Sequence, residues 1–287
     1  MCFDCDEPLT RRSLIAGTAA AAASAALQGR AFASLAPERA AIDDPDVVHG
    51  KVTFPGEGET LEGFLTRPRS GGRRPAILLM QGNPGFPEWL QNTAARLTQV
   101  GYVALVVEFA PKKPEDTPND WYIGNVPDRW ATAALLAGIR HVKTLPYVKE
   151  GGVGIVGFCF GGRKALMLAT QSSDVRAAVS FYGPIVDHKR NTADPRPDVM
   201  EIAAALKTPV QGHYGTLDSV AVADDARRFE QILERRKIPC EFFFYDGAGH
   251  GFYGNDWNEQ TPEFGFNAAA ARRAHERMIA FLKRYLG

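Results

Sequence analysis

The sequence predicts a doubly wound α/β fold: a mostly parallel sheet with helices on both faces. Two observations carry that expectation. Short, continuous apolar runs alternate with helix-like segments from about residue 51 to 286, which is how strands buried on both faces by crossover helices read. The chain is also long and apolar enough, at 287 residues, 45% apolar and 10% aromatic, to bury one sizeable core.

In order, KVTF (51–54) and LEGFLTR (61–67) read as strands around the turn PGEGET. PAILLMQ (75–81) and YVALVVEF (102–109) are buried-strand runs. Between them EWLQNTAARLTQV (88–100) has helical spacing and stops at Gly101. DRWATAALLAGIRHVKTL (128–145) is a helix, GVGIVGF (152–158) a strand and GGRKALMLATQ (161–171) a helix. AAVSFYG (177–183), PVQGHYG (209–215) and CEFFFYD (240–246) are further strands. Helices are expected over 222–237 and 267–286. In such a sheet the functional site is expected at the C-terminal ends of the strands.

Basic and acidic residues both number 33, so the formal net charge is zero. Bulk charge therefore points to neither a nucleic-acid partner nor a membrane surface. The N-terminus reads as an export signal. Arg11 and Arg12 precede an alanine-rich run from Leu14 to about Leu27, and Ala31-Phe32-Ala33 fits a small-x-small cleavage site. The expected organisation is a twin-arginine signal peptide over 1–33, a flexible lead-in over 34–48 and one α/β domain over 49–287. The mature protein would be periplasmic or secreted, without a stable membrane anchor; the apolar run is too short and alanine-rich for a spanning helix. Cys2 and Cys5 would leave with the signal. Cys159 and Cys240 remain, and two cysteines are no disulfide framework.

GVGIVGFCFGGRKA (152–165) places Gly157-Phe158-Cys159-Phe160-Gly161 between strand and helix. This is the G-x-S-x-G nucleophile-elbow pattern with cysteine in the serine position. The central residue of such a turn projects above the sheet. The following helix N-terminus favours a thiolate and then an oxyanion, with the Phe160 N–H as first donor. An acid and a base follow in the order this architecture uses: Asp218 in GTLDSV after one strand, His250 in DGAGHGF after the next. His250 can take the thiol proton and Asp218 can hold the imidazole. The nearby rivals are weaker, because His213 lies within a strand and Asp225 within a helix.

GFCFGG, YGTLDSV and YDGAGHGF together resemble the dienelactone hydrolase family of α/β hydrolases, and PAILLMQGNPGF…GYVALVVEF is similar in layout to its early unit. The resemblance spans about residues 50–287. It implies an α/β-hydrolase fold and hydrolysis of a small ester or lactone through a cysteinyl thioester. It implies no metal or organic cofactor, and a monomer or small homo-oligomer fits. It also carries over Asn83 as second backbone oxyanion donor, with Gly82 as the alternative. Two positions depart from the family pattern. Gly82 stands where the family's early loop has a glutamate that reaches the nucleophile, and Gly254 where its best-known enzymes have an arginine for a substrate carboxylate. Lys112, Lys113 and Arg129 are substitutes for the latter, though solvated surface positions explain them as well.

Trp89, Trp121, Tyr122, Phe181 and Tyr182 are the aromatic candidates for the substrate pocket. The loop PKKPEDTPND before Trp121 is long enough to form part of a lid. Two other uses of the scaffold remain: ligand binding with a vestigial triad, and a thiol redox role that would need Cys240 within reach of Cys159.

Overall fold

The computed structural model describes residues 39–82, 85–108, 128–186, 198–254 and 261–287. The expected export signal over 1–33, Asn83, Lys112, Lys113, Trp121 and Tyr122 lie outside these residues.

Among the described residues one sheet of eight strands organises the fold: β1 (Val47–Pro55), β2 (Thr60–Pro68), β3 (Ala76–Met80), β4 (Val103–Val107), β5 (Val153–Phe158), β6 (Val175–Phe181), β7 (Val210–Gly215) and β8 (Cys240–Tyr245). Their spatial order is β1-β2-β4-β3-β5-β6-β7-β8. β1 pairs with β2, and β2 with β4, antiparallel; every pairing from β4 onward is parallel. The doubly wound, mostly parallel α/β-hydrolase architecture predicted from the sequence is the one observed. The reason is visible in β3, β4 and β5. AILLM, VALVV and VGIVGF are buried at every position, as strands covered on both faces must be.

Among the described residues five long helices cover the sheet: α1 (Glu88–Gln99), α2 (Asp128–Thr144), α3 (Phe160–Gln171), α4 (Ala223–Arg235) and α5 (Ala268–Leu286). α4 buries Ala226, Phe229 and Leu233 in a single stripe at spacings of three and four, with Asp225 buried beside them, and leaves most of its charges outside. α5 begins at Asn267, whose side chain accepts the Ala270 N–H, and carries Lys283 and Arg284 in its last turn. Both termini suit the helix dipole and its unpaired groups.

Ordered structure begins earlier than a loose lead-in over 34–48 would allow. Arg39–Ile42 forms a helical turn and β1 starts at Val47. Ala41 and Val47 are buried with Ala95 of α1, and the Ile42 N–H donates to the Asn92 side chain at 3.1 Å. These contacts link residues some fifty positions apart, which local sequence does not display.

Because β3–β8 run parallel, their C-terminal ends share one edge. Gly82, Glu108, Cys159, Tyr182, Asp218 and His250 all follow strand ends there.

Candidate active site

Cys159 is the single residue between β5 and α3, and its backbone is strained: φ 55, ψ −128. A side chain rarely adopts this conformation without surrounding structure that enforces it. The enforcement comes from close backbone approach on both sides. A Cβ on Gly157 would sit 2.0 Å from the Gly161 carbonyl oxygen, and one on Gly161 would sit 2.3 Å from that of Met80. Only glycine fits at either position. The Cys159 N–H donates to the Phe181 carbonyl at 3.0 Å, and its own carbonyl accepts from Gly162 at 2.8 Å. The turn is thus tied to β6 and to the first turn of α3.

His250 meets the sulfur from the β8 side. Its Nε2 lies 3.1 Å from Cys159 Sγ, and its Nδ1 lies 2.9 Å from Asp218 Oδ2. The other Asp218 oxygen accepts the N–H groups of Val220 and Ala221 at 2.8 and 2.7 Å, so the carboxylate is oriented at both ends. The backbone of His250 is fixed as well. Its N–H donates to Glu263 at 2.5 Å and its carbonyl accepts from Gly265 at 2.9 Å. Tyr182 and Phe264 set their rings edge-on to the imidazole, with centroids 5.1 and 5.8 Å away. Tyr182 is itself strained, with φ 38.

Burial of His250 works against its protonated form. Negative charge on the Cys159 sulfur, together with the hydrogen-bonded Asp218 carboxylate, outweighs burial and raises the imidazole to about 10. The arrangement can therefore keep a proton on His250 beside an electron-rich sulfur, with Asp218 holding the tautomer.

The two rival residues have other partners. His213 is fully buried, with Tyr245 Oη at 2.8 Å from Nδ1 and Gln211 Oε1 at 2.9 Å from Nε2. Asp225 is buried in α4 and pairs with Arg228. The aromatic candidates divide. Tyr182 borders His250. Phe181 does not face a pocket: it is fully buried, and its ring stacks on Phe158 and His213 at 4.8 and 4.4 Å. The three are register partners on β5, β6 and β7, so they form a cross-strand ladder inside the sheet. Trp89 is likewise a core residue, packed edge-on against Phe158 at 5.0 Å. Arg129 stands in the first turn of α2 and lines a surface groove with Glu57, Glu59 and Trp130.

Sequence reasoning passed over two features. Arg163 and Lys164, four and five residues past Cys159, are buried, and both reach Asp128 at the start of α2. Two cations in the otherwise apolar GGRKALMLATQ were the available signal. Glu108, the charge that ends the apolar run of β4, accepts the Gly85 N–H, and no short-range pattern foretells that contact.

The profile of the Dienelactone hydrolase family matches residues 61–286. A protein of Escherichia coli O157:H7 provisionally named a carboxymethylenebutenolidase is 29% identical over 261 residues, covering 86% of this chain and 91% of its own length. A Bradyrhizobium protein provisionally named a 2-oxo-3-(5-oxofuran-2-ylidene)propanoate lactonase is 26% identical, covering 80% of this chain and 91% of its own. Among solved structures, a Klebsiella pneumoniae protein provisionally called a dienelactone hydrolase superposes with a TM-score of 0.72 at 25% identity, covering 83% of this chain and 99% of its own.

Proposed function

The chain belongs to the dienelactone hydrolase family, and from that premise we propose that it hydrolyses a small carboxylic ester or lactone through Cys159, His250 and Asp218. The observation that carries this reading is one hydrogen-bonded line at the elbow: sulfur, imidazole and carboxylate at 3.1 and 2.9 Å.

In the first half-reaction the Cys159 sulfur attacks the acyl carbon. A C–S bond forms and the carbonyl π pair moves onto oxygen, facing the Phe160 N–H. The tetrahedral adduct collapses to a thioester, and the leaving alkoxide takes the proton from His250. In a lactone the alkoxide stays tethered to the acyl group. In the second half-reaction water attacks the thioester and gives a proton to His250. The adduct expels the sulfur and releases the carboxylic acid. Asp218 holds the imidazole in the tautomer both steps need. At Gly254 no side chain reaches toward a substrate carboxylate, so neutral esters and lactones belong among the substrates. Export through the N-terminal twin-arginine signal is part of the proposal and places the reaction outside the cytoplasm.

The test is a panel of lactones, dienelactones and small aryl esters assayed with the wild type and with Cys159→Ala. At least one class is expected to turn over in the wild type and to lose turnover in the folded variant. A chain that binds these compounds without ever cleaving them would instead be a binding protein on a hydrolase scaffold.

A further inference from the structure

The space in which an oxyanion would form beside Cys159 is bounded by Gly82. A Cβ built on Gly82 would lie 3.2 Å from Cys159 Sγ, 3.3 Å from its Cβ and 3.3 Å from the Phe160 nitrogen. An oxygen on a carbon bonded to that sulfur, accepting a hydrogen bond from the Phe160 N–H, sits about 3 Å from the same nitrogen. It also sits close to the sulfur, since both are bonded to the same carbon. A side chain at residue 82 would therefore crowd the same two atoms, the sulfur and the Phe160 nitrogen, that an oxyanion must approach.

The strip that carries Gly82 is anchored just beyond it. Gln81, a buried side chain directly after β3, donates from Nε2 to the Gly85 carbonyl at 3.1 Å. The Glu108 carboxylate, directly after β4, accepts the Gly85 N–H, and the Glu108 backbone is tied to the Glu62 carbonyl at 3.0 Å. Both faces of Gly85 are thus held by side chains from two adjacent strands. With Gly85 held in this way, a methyl group added at residue 82 would fill the space beside the sulfur rather than back away from it.

We propose that Gly82 is a specificity-determining residue whose missing side chain holds the oxyanion space beside Cys159 open, and that Gln81 and Glu108 are positioning residues for that strip. The proposal rests on the cysteine-nucleophile reading above. It implies a site ready for carbonyl compounds that form a tetrahedral adduct, with no side chain at residue 82 to displace first.

Three readouts on Gly82→Ala test it: turnover of an aryl ester, affinity for an aryl trifluoromethyl ketone, and alkylation by iodoacetamide. The ketone adds the sulfur to its carbonyl and stores the π pair as an oxyanion, with no leaving group. Iodoacetamide loses iodide to the sulfur and forms no oxyanion. The expected result is a fall in kcat and in ketone affinity of about 100-fold or more, with alkylation within about threefold of wild type. Unchanged turnover overturns the proposal. So does alkylation that falls in step with turnover, because the methyl group would then merely displace the sulfur. Glu108→Ala is the second variant, and it leaves the oxyanion space unfilled. It should lower turnover and ketone affinity together while alkylation holds, and wild-type values for both would remove Glu108 from the account. Full turnover in Cys159→Ala is a different failure, since it sinks the underlying mechanism and leaves the geometry at Gly82 without a reaction to serve.

Discussion

Cys159 and Cys240 are both half-buried and both free, yet the sheet gives them opposite surroundings. Cys159 follows the C-terminal end of β5, while Cys240 opens β8 at its N-terminal end. In parallel strands those ends lie on opposite edges. β6 and β7 also stand between the two, a lateral separation of about 14 Å, so the pair is far beyond disulfide reach and the redox reading loses its resolving thiol. At the C-terminal edge the sulfur meets a helix N-terminus and an imidazole. At the N-terminal edge burial comes first, with Glu230, Glu234 and Glu241 adding to it, and the Cys240 thiol is pushed up to about 11. The same side chain meets an imidazole at one edge and three carboxylates at the other. What distinguishes them is strand polarity and the charges that the loops bring, not local sequence around a cysteine.

That contrast breaks most visibly by mutation. Cys159→Ala should lower kcat/KM for a cleaved ester by a factor on the order of 10⁵ or more, as loss of a nucleophile does, while Cys240→Ala changes it less than about twofold; steady-state assays read both. His250→Asn should lower kcat by about 10³. In the wild type, iodoacetamide at neutral pH should label Cys159 at least about 100-fold faster than Cys240, as followed by peptide mapping, and His250→Asn should narrow that gap. Gly157→Ala should cost about 3 kcal/mol or more of stability by denaturant unfolding, because its methyl group collides with backbone that cannot move aside.

The smallest effect is a slope with pH. His250 is raised to about 10 from an ordinary 6.5, so the folded chain holds this proton more tightly than the unfolded one. Its stabilisation is complete below about pH 6.5 and is lost as the pH climbs through about 10. Thermal melts should fall across that window in the wild type and fall less in Cys159→Ala, which lacks the sulfur charge opposing burial. NMR titration of the imidazole should show the same displacement directly.

The fold was legible because buried parallel strands write themselves as continuous apolar runs. Among the described residues the eight strands and five long helices lie where apolar runs and helical spacing put them, within a few residues. The short helical turn Val199–Ile202, with its reciprocal Asp198–Glu201 cap, is too brief to show a period. The elbow was legible because its glycines answer a steric demand that few other residues meet. Asp218 and His250 were legible from their order after strands. Phe181 misled for a physical reason. In a sheet covered on both faces a strand-end aromatic is buried whichever way it points, so its sequence cannot separate a pocket wall from the Phe158–Phe181–His213 ladder. Glu108 and Gln81 were hidden differently: their meeting at Gly85 depends on β3 and β4 lying side by side, a fact of topology.

The most direct measurement is acid-quenched mass spectrometry of the wild-type protein during turnover of an activated aryl ester. The account predicts one added acyl mass on the peptide that contains Cys159, none on the peptide that contains Cys240, and neither in Cys159→Ala. An acyl mass on any other residue, or sustained turnover with no adduct at any quench time and undiminished activity in Cys159→Ala, would contradict it.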